Sequence, residues 1–276
     1  VNTLDSLPNA ASDSPFEASE HSPVRGAQLV ALTARVLRAL ASAHDAGMRI
    51  SELVEQTGLP RATVNRIVRA LQSERLAMRR LGEPRYVLGP LAFELGLAAS
   101  RHFRLRELAA PSMERLAALT GDACFLIVSS GQDAVCIDRR EGSYPVRTLV
   151  MNVGDRRPLG VPAAGIALLA HVAPKEVEQY LGANAARIER FGTMTPPLVK
   201  RMLADARKQG YALIKNHVVP DVTAVGMSIP ARCGLPYAAL SVSAMTSRMA
   251  QRERLLQVVH WLQAETRGIA AELNAA

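Results

Sequence analysis

ISELVEQTGLPRATVNRIVRAL, residues 50–71, decides the fold of the N-terminal third of this chain. Leu53 and Val54 share the inner side of a first short helix, with Ser51 placed to cap it. Gly58 supplies the permissive backbone of a sharp corner, and Pro60 sits where a helix start tolerates a missing N–H. In the next helix, Arg61 to Glu74, the residues Val64, Ile67, Val68 and Leu71 recur at i, i+3, i+4 and i+7, a single buried stripe. The opposite side then carries Ala62, Asn65, Arg66, Arg69 and Ser73, with Arg61 and Thr63 at its edges. Two helices around such a corner predict a helix-turn-helix, so the chain is a candidate sequence-specific DNA binder.

The flanks extend that reading. QLVALTARVLRALASAH (28–44) predicts a helix with Val36, Leu37 and Leu40 on one face. LAMRRLGEPRYVLG (76–89) predicts a hairpin around Gly82-Glu83-Pro84, a wing carrying Arg79, Arg80 and Arg85. Arg66 and Asn65 suit base readout, since Arg pairs with guanine O6/N7 and Asn with adenine N6/N7. Arg61, Thr63 and Arg69, with the three wing arginines, suit phosphate contacts. The competing reading is an intrahelical pair of Arg66 or Arg69 with Glu74.

Charge is unevenly spread. Residues 1–24 hold four acids (Asp5, Asp13, Glu17, Glu20) and no Lys or Arg. Residues 25–89 hold eleven arginines, no lysine and five acids, so the small segment is densely basic within a chain of net charge +8. Arginine without lysine suits bidentate contact to phosphate and guanine. Residues 1–24 read as a disordered, Ser- and Pro-rich tail without a signal-peptide pattern. No apolar run is long enough for a membrane span. Three widely spaced cysteines (Cys124, Cys136, Cys233) form no CxxC, which argues against a disulfide framework and a structural zinc site and fits a reducing cytoplasm.

Residues 90–120 read as helical, with Pro111 near a helix start. From 123 the period changes: ACFLIVSS, DAVCIDRR and PVRTLVMNVG read as strands, followed by helices in PAAGIALLAHV, KEVEQYL and PPLVKRMLADARKQG. YALIKNHVV, TAVGMSIPAR and YAALSVSAM read as further strands before a closing helix. Strands in consecutive runs predict an α+β domain with a mainly antiparallel sheet. In LSVSA, Ser241 and Ser243 share one strand face and Leu240 and Val242 the other. Around Leu159, Gly160, Val161 and Ala163 the chain turns into a helix whose first N–H groups can hold a carboxylate; an ordinary packed helix start fits equally well.

Four passages in order, TGLPRATVNRIVRAL, RYVLGPLAFELG, VGDRRPLGVPAAGIALLA and KQGYALIKNHVVPDVTAVGMSIPA, make the chain resemble the IclR family of bacterial transcriptional regulators from about residue 28 onward. The resemblance implies a winged helix-turn-helix (25–89), a linker helix (90–103) and a GAF-like effector-binding and oligomerisation domain (104–276). It implies a double-stranded DNA operator, a small organic acid effector and a dimer or tetramer as partners, with no cofactor. It places Leu159, Gly160, Val161, Ala163, Ser241 and Ser243 at the effector site. Ile214 and Ala224 stand where members sensing glyoxylate-like acids carry Asp and Cys, which shifts the expected effector toward a larger, apolar, aromatic or branched acid. His217, where Glu is frequent, is either a polar pocket group or a surface histidine. Arg147, Arg156 and Arg157 can supply a counter-charge, with a solvated loop the favoured reading of Arg156 and Arg157. The rival class is an α+β enzyme with an appended DNA-binding domain, but the chain carries no GxSxG, GxGxxG, P-loop or HExxH, and its six histidines lack metal-ligand spacing.

Overall fold

The computed structural model describes residues 27–100, 104–146, 148, 150–231, 234 and 236–275. The expected tail at 1–24, Arg147 and Cys233 lie outside the described residues. Two compact units divide between Arg104 and Leu105.

The first unit runs α1 (Gln28–Ser42), α2 (Ile50–Thr57), α3 (Arg61–Ser73), β1 (Ala77–Arg79), β2 (Tyr86–Leu88) and α4 (Pro90–Ser100). Its core joins Val36, Ala39 and Leu40 of α1, Leu53 of α2 and the four-residue stripe of α3. Gly58 takes the left-handed conformation (φ 64°) that turns α2 into α3. β1 and β2 pair antiparallel, Ala77 opposite Leu88, and form the wing. The cap of α2 differs from expectation. The helix starts at Ile50 with Arg49 as its cap residue, and the Arg49 backbone N–H donates to Glu52 Oε2 at 2.9 Å. Ser51 therefore lies inside the first turn, displaced as cap by a carboxylate three residues beyond Arg49.

The second unit runs α5 (Leu105–Thr120), β3 (Ala123–Ser130), β4 (Asp133–Arg140), β5 (Arg156–Pro158), α6 (Ala163–Leu169), α7 (Pro174–Ile188), α8 (Pro196–Gln209), β6 (Ala212–Lys215), β7 (Val222–Ser228), β8 (Ala238–Met245) and α9 (Arg252–Ala275). The sheet order is β5-β4-β3-β8-β7-β6 with every pairing antiparallel. At its centre β3 pairs with β8, Ala123 opposite Ser243. Alternation buries both faces. Cys124, Leu126, Leu240 and Val242 pack with Met113 and Leu116 of α5 and Leu262 of α9. Phe125 and Ile127 pack on the other face with Ile166, Leu181 and Val199 from α6, α7 and α8. The whole is α+β, as the consecutive strand runs predict.

Buried Asp122 ties the ends of this unit together. Its carboxylate pairs with Arg248 at 2.9 Å and with Arg254 of α9 at 3.5 Å. Both guanidiniums also donate to the Thr120 carbonyl that ends α5.

Two local expectations are corrected. Pro111 lies inside α5, on its exposed face, while Ala109, Met113 and Leu116 bury the opposite one. Packing of that face outweighs the cost of the proline. The described residues of PVRTLVMNVG (145–154) form no strand. The run imitates one because Met151 is buried and Val150 packs against the core, but both face a cavity rather than a ladder. The Thr148 hydroxyl instead donates to the Ser243 carbonyl at 2.6 Å.

Gly226 of β7 lets α6 press onto the sheet. A Cβ there would stand 2.3 Å from the Ala163 carbonyl carbon, a backbone atom that cannot swing aside. Gly226→Ala is predicted to cost about 1–3 kcal/mol or more through overpacking. Urea unfolding checks it, with a lowered midpoint at unchanged slope as the expected result.

Candidate functional site

The surface of α3 follows from its packing. Val64, Ile67, Val68 and Leu71 are buried, and Arg61, Arg66 and Arg69 are exposed. None of these three arginines has a hydrogen bond or ion pair among the described residues, and neither Arg66 nor Arg69 pairs with Glu74. Thr63 and Asn65 are half-buried at the margin of the same face.

The wing arginines are placed differently. Arg79 Nε donates to the Glu83 carbonyl at 3.0 Å, and Arg80 Nη1 to the Asp45 carbonyl at 2.7 Å. Arg85 is the most committed. It grips both Glu52 oxygens at 3.1 Å and donates to the Gly47 carbonyl at 2.9 Å. The guanidinium expected on phosphate is spent on fastening β2 to α2. Arg79 and Arg80 stay exposed, each with further donors.

In the second unit a cavity of about 40 Å³ lies between the sheet, the start of α6 and the segment around Val150. Of the expected residues, Val161, Ala163, Ile214, Ala224, Ser241 and Ser243 line it. Ser241 and Ser243 are buried, so their shared face looks into the protein. Leu159, Gly160 and His217 are not in its wall. Leu159 is fully buried in the core. The Gly160 N–H donates to the Tyr180 hydroxyl at 3.3 Å, and the Val161 N–H to the Pro158 carbonyl at 2.9 Å. α6 is only seven residues long and buried throughout, so the turn before it fits a packed helix start. His217 Nδ1 meets the Thr193 hydroxyl at 2.9 Å, away from the cavity.

Sequence reasoning missed Phe125, Val150, Met151, Val218 and Val222 in the wall, and left Arg157 as one of three possible cations. Among the described residues, Arg157 is the charged one that lines the cavity. Its guanidinium donates to the Val150 carbonyl and stands 5.3 Å from the Phe191 ring centroid. Burial pulls its pKa below the ordinary arginine value, against the opposing effect of the Asp155 carboxylate. Arg156, its neighbour, points the other way and pairs with Asp133 at 3.3 Å. A strand alternates faces, and that alternation is the signal that separates the two arginines.

The two described cysteines are buried. Burial pushes the Cys124 and Cys136 thiols up to about 12, so neither is a nucleophile near neutral pH. Among the described residues no His, Cys, Asp and Glu cluster suits a metal ion, and no helix is long and apolar enough to cross a membrane.

A helix-turn-helix with a basic outer face, joined to an α+β domain with an internal apolar cavity, defines the class of DNA-binding transcriptional regulators with an effector domain. Family models agree: the IclR helix-turn-helix domain matches residues 30–80, and the bacterial transcriptional regulator IclR C-terminal domain matches residues 97–271. The chain belongs to the IclR family of bacterial transcriptional regulators. It is 30% identical over 187 residues to the HTH-type transcriptional regulator KipR of Bacillus subtilis, covering 67% of this chain and 74% of that protein. It is 29% identical over 210 residues to the HTH-type transcriptional regulator BhcR of Paracoccus denitrificans, covering 75% of this chain and 74% of that one. Among solved structures, an IclR homolog from Microbacterium hydrocarbonoxydans complexed with 4-hydroxybenzoate superimposes with a TM-score of 0.70 at 25% identity, covering 90% of this chain and 100% of that one. KipR and BhcR are both transcriptional regulators.

The Glu52–Arg85 clamp makes a testable statement about pH. The Arg49 backbone N–H, and after desolvation's opposing effect the Arg85 guanidinium, hold the Glu52 carboxyl below its usual 4.5. A lowered folded pKa contributes stability that is present above the unfolded value and lost as pH falls through the folded one. Thermal melting from about pH 6 down to about pH 3 should therefore show a shallower acid loss for Glu52→Gln than for the parent chain.

Proposed function

We propose that α3 reads a duplex operator and that the cavity beside Arg157 senses a small, largely apolar carboxylic acid. The observation that carries the first half is the set of unpartnered arginines on α3, Arg61, Arg66 and Arg69, held outward by a fully buried stripe. Arg66 and Asn65 face base edges. Arg61, Thr63 and Arg69 meet phosphates, with Arg79 and Arg80 reaching the backbone from the wing. Arg85 holds the wing in place and contributes no DNA contact of its own.

The second half is supported by the chemistry of the cavity wall. Aliphatic groups and Phe125 surround two buried hydroxyls, Ser241 and Ser243, and one desolvated guanidinium. That set suits an aromatic or branched carboxylate, and a related protein is complexed with 4-hydroxybenzoate. Sites for small organic ligands enclose roughly 300 Å³ or more. At about 40 Å³ this cavity must open to admit one. Ligand thus favours an expanded state of the second unit, and only such a difference in affinity can shift the protein between DNA-competent and incompetent forms. The regulated genes are those of a catabolic operon for that acid. The chain works as a dimer or tetramer, because one recognition helix covers few base pairs. Exposed Phe93 and Leu95 on α4 offer apolar surface for a second copy. Residues 25–89 are the reading domain, 90–103 the connection and 104–276 the sensor.

Selection of bound duplexes from a random pool, followed by anisotropy titration, tests the first half. Arg66→Ala should cost about 1–3 kcal/mol and relax preference at one position. Arg69→Ala should lower the salt slope by about one unit, and equal losses from both variants on selected and random DNA would reassign Arg66 to the backbone. Thermal melting against a panel of aromatic and aliphatic acids tests the second. Aromatic acids should raise the midpoint, and Arg157→Gln should abolish that rise. A panel with no shift in the parent chain would reject the acid-sensing assignment.

A further inference from the structure

Three observations converge on the exposed face of α3. Arg61, Arg66 and Arg69 project from it without partners among the described residues, whereas Arg75 pairs with Glu94 at 2.9 Å and Arg85 with Glu52 at 3.1 Å. The cationic face extends toward α1, where Arg35 Nη2 lies 3.7 Å from the place a Cβ on Gly58 would take, at the corner before α3. The sequence that precedes α1 carries Asp5, Asp13, Glu17 and Glu20 and, through residue 24, no Lys or Arg. We propose that this acidic segment docks on α3 of its own chain, occupying the arginines with carboxylates where DNA would place phosphates. The proposal rests on the assignment of α3 as the DNA-contacting helix.

Reach and charge both allow it. α1 starts at Gln28, seven residues before Arg35, about 10 Å along a helix. Glu20 stands eight residues before Gln28, so at about 3.3 Å per residue it can lie up to roughly 26 Å away, and the earlier acids farther. Four carboxylates face at least four guanidiniums. Tethering raises the local concentration of the segment to the order of millimolar, so even a weak intrinsic affinity competes. Because the segment must leave before any duplex binds, it weakens selected and random DNA by the same factor. It lowers the bound fraction everywhere and leaves the discrimination between sequences untouched. The contest is electrostatic on both sides, so added salt weakens tail and DNA together.

The test uses the full chain, a variant lacking residues 1–24 and a variant D5N/D13N/E17Q/E20Q, each titrated into a random-sequence duplex at low and moderate salt. Both variants should bind about three- to tenfold more tightly than the parent at low salt, with a smaller gain at higher salt. In a background of R61Q/R66Q/R69Q, removing the segment should produce no gain. Parent and variants binding equally would overturn the docking proposal and leave the DNA assignment standing. A gain from deletion but none from neutralisation would also overturn it, since charge would not be the cause. If no form binds any duplex at low salt, the DNA assignment itself fails.

Discussion

Four aliphatic side chains fix the direction in which this protein meets its surroundings. Val64, Ile67, Val68 and Leu71 are withdrawn from water against α1 and α2, and with them in place α3 has a single possible rotation. Everything polar on α3 must then face out. The helix has no freedom to satisfy its arginines internally, because no acid of its own pairs with them. The wing differs, since Arg85 is drawn back onto Glu52 while exposed Arg79 and Arg80 each give one hydrogen bond to a backbone carbonyl, of Glu83 and Asp45. One surface is kept unsatisfied by the packing behind it, and the neighbouring one is made rigid.

The second unit is built on the same principle with a sheet in place of a helix. β8 lies at the centre and must serve two layers, so its alternate residues differ in kind: Leu240 and Val242 fill the α5–α9 side, while Ser241 and Ser243 face the cavity. Gly226 on the adjacent strand brings α6 close enough to close the space, and Arg157 enters from the short edge strand β5. A desolvated guanidinium whose hydrogen bond among the described residues goes to a carbonyl keeps donors that suit a carboxylate.

How much of this was legible beforehand follows from where each signal resides. Periodicity exposed α3, β3, β4 and β8, because burial on one or both faces imprints a pattern on consecutive residues. The serine face of β8 could be read for the same reason. The cap of α2 could not, since Ser51 is a good cap by type while Glu52 takes the Arg49 N–H and is itself held by Arg85, far along the chain. Pro111 misled because its cost is local and the packing that outweighs it is not. The run around Val150 looked like a strand because cavity walls and sheet cores draw on the same residues. Arg156 and Arg157 are neighbours in a loop-like stretch, and only the pairing of β5 with β4 tells which of the two points inward. His217 and the Leu159–Gly160 turn were assigned by resemblance, and here local partners, Thr193 and Tyr180, claim their polar groups.

The central pairing of β3 with β8 also sets an order of events during synthesis. Every residue of the helix-turn-helix and its wing is available once the chain has passed α4, and their contacts span short stretches of sequence. The sheet of the second unit lacks its middle partner until Met245 has emerged, and the salt links of Asp122 wait for Arg248 and Arg254. A ribosome making this protein therefore releases a reading head able to close early, followed by a long interval in which β3 has no neighbour on one side. During that interval the exposed edge of β3 is the part of the nascent chain most in need of chaperone cover.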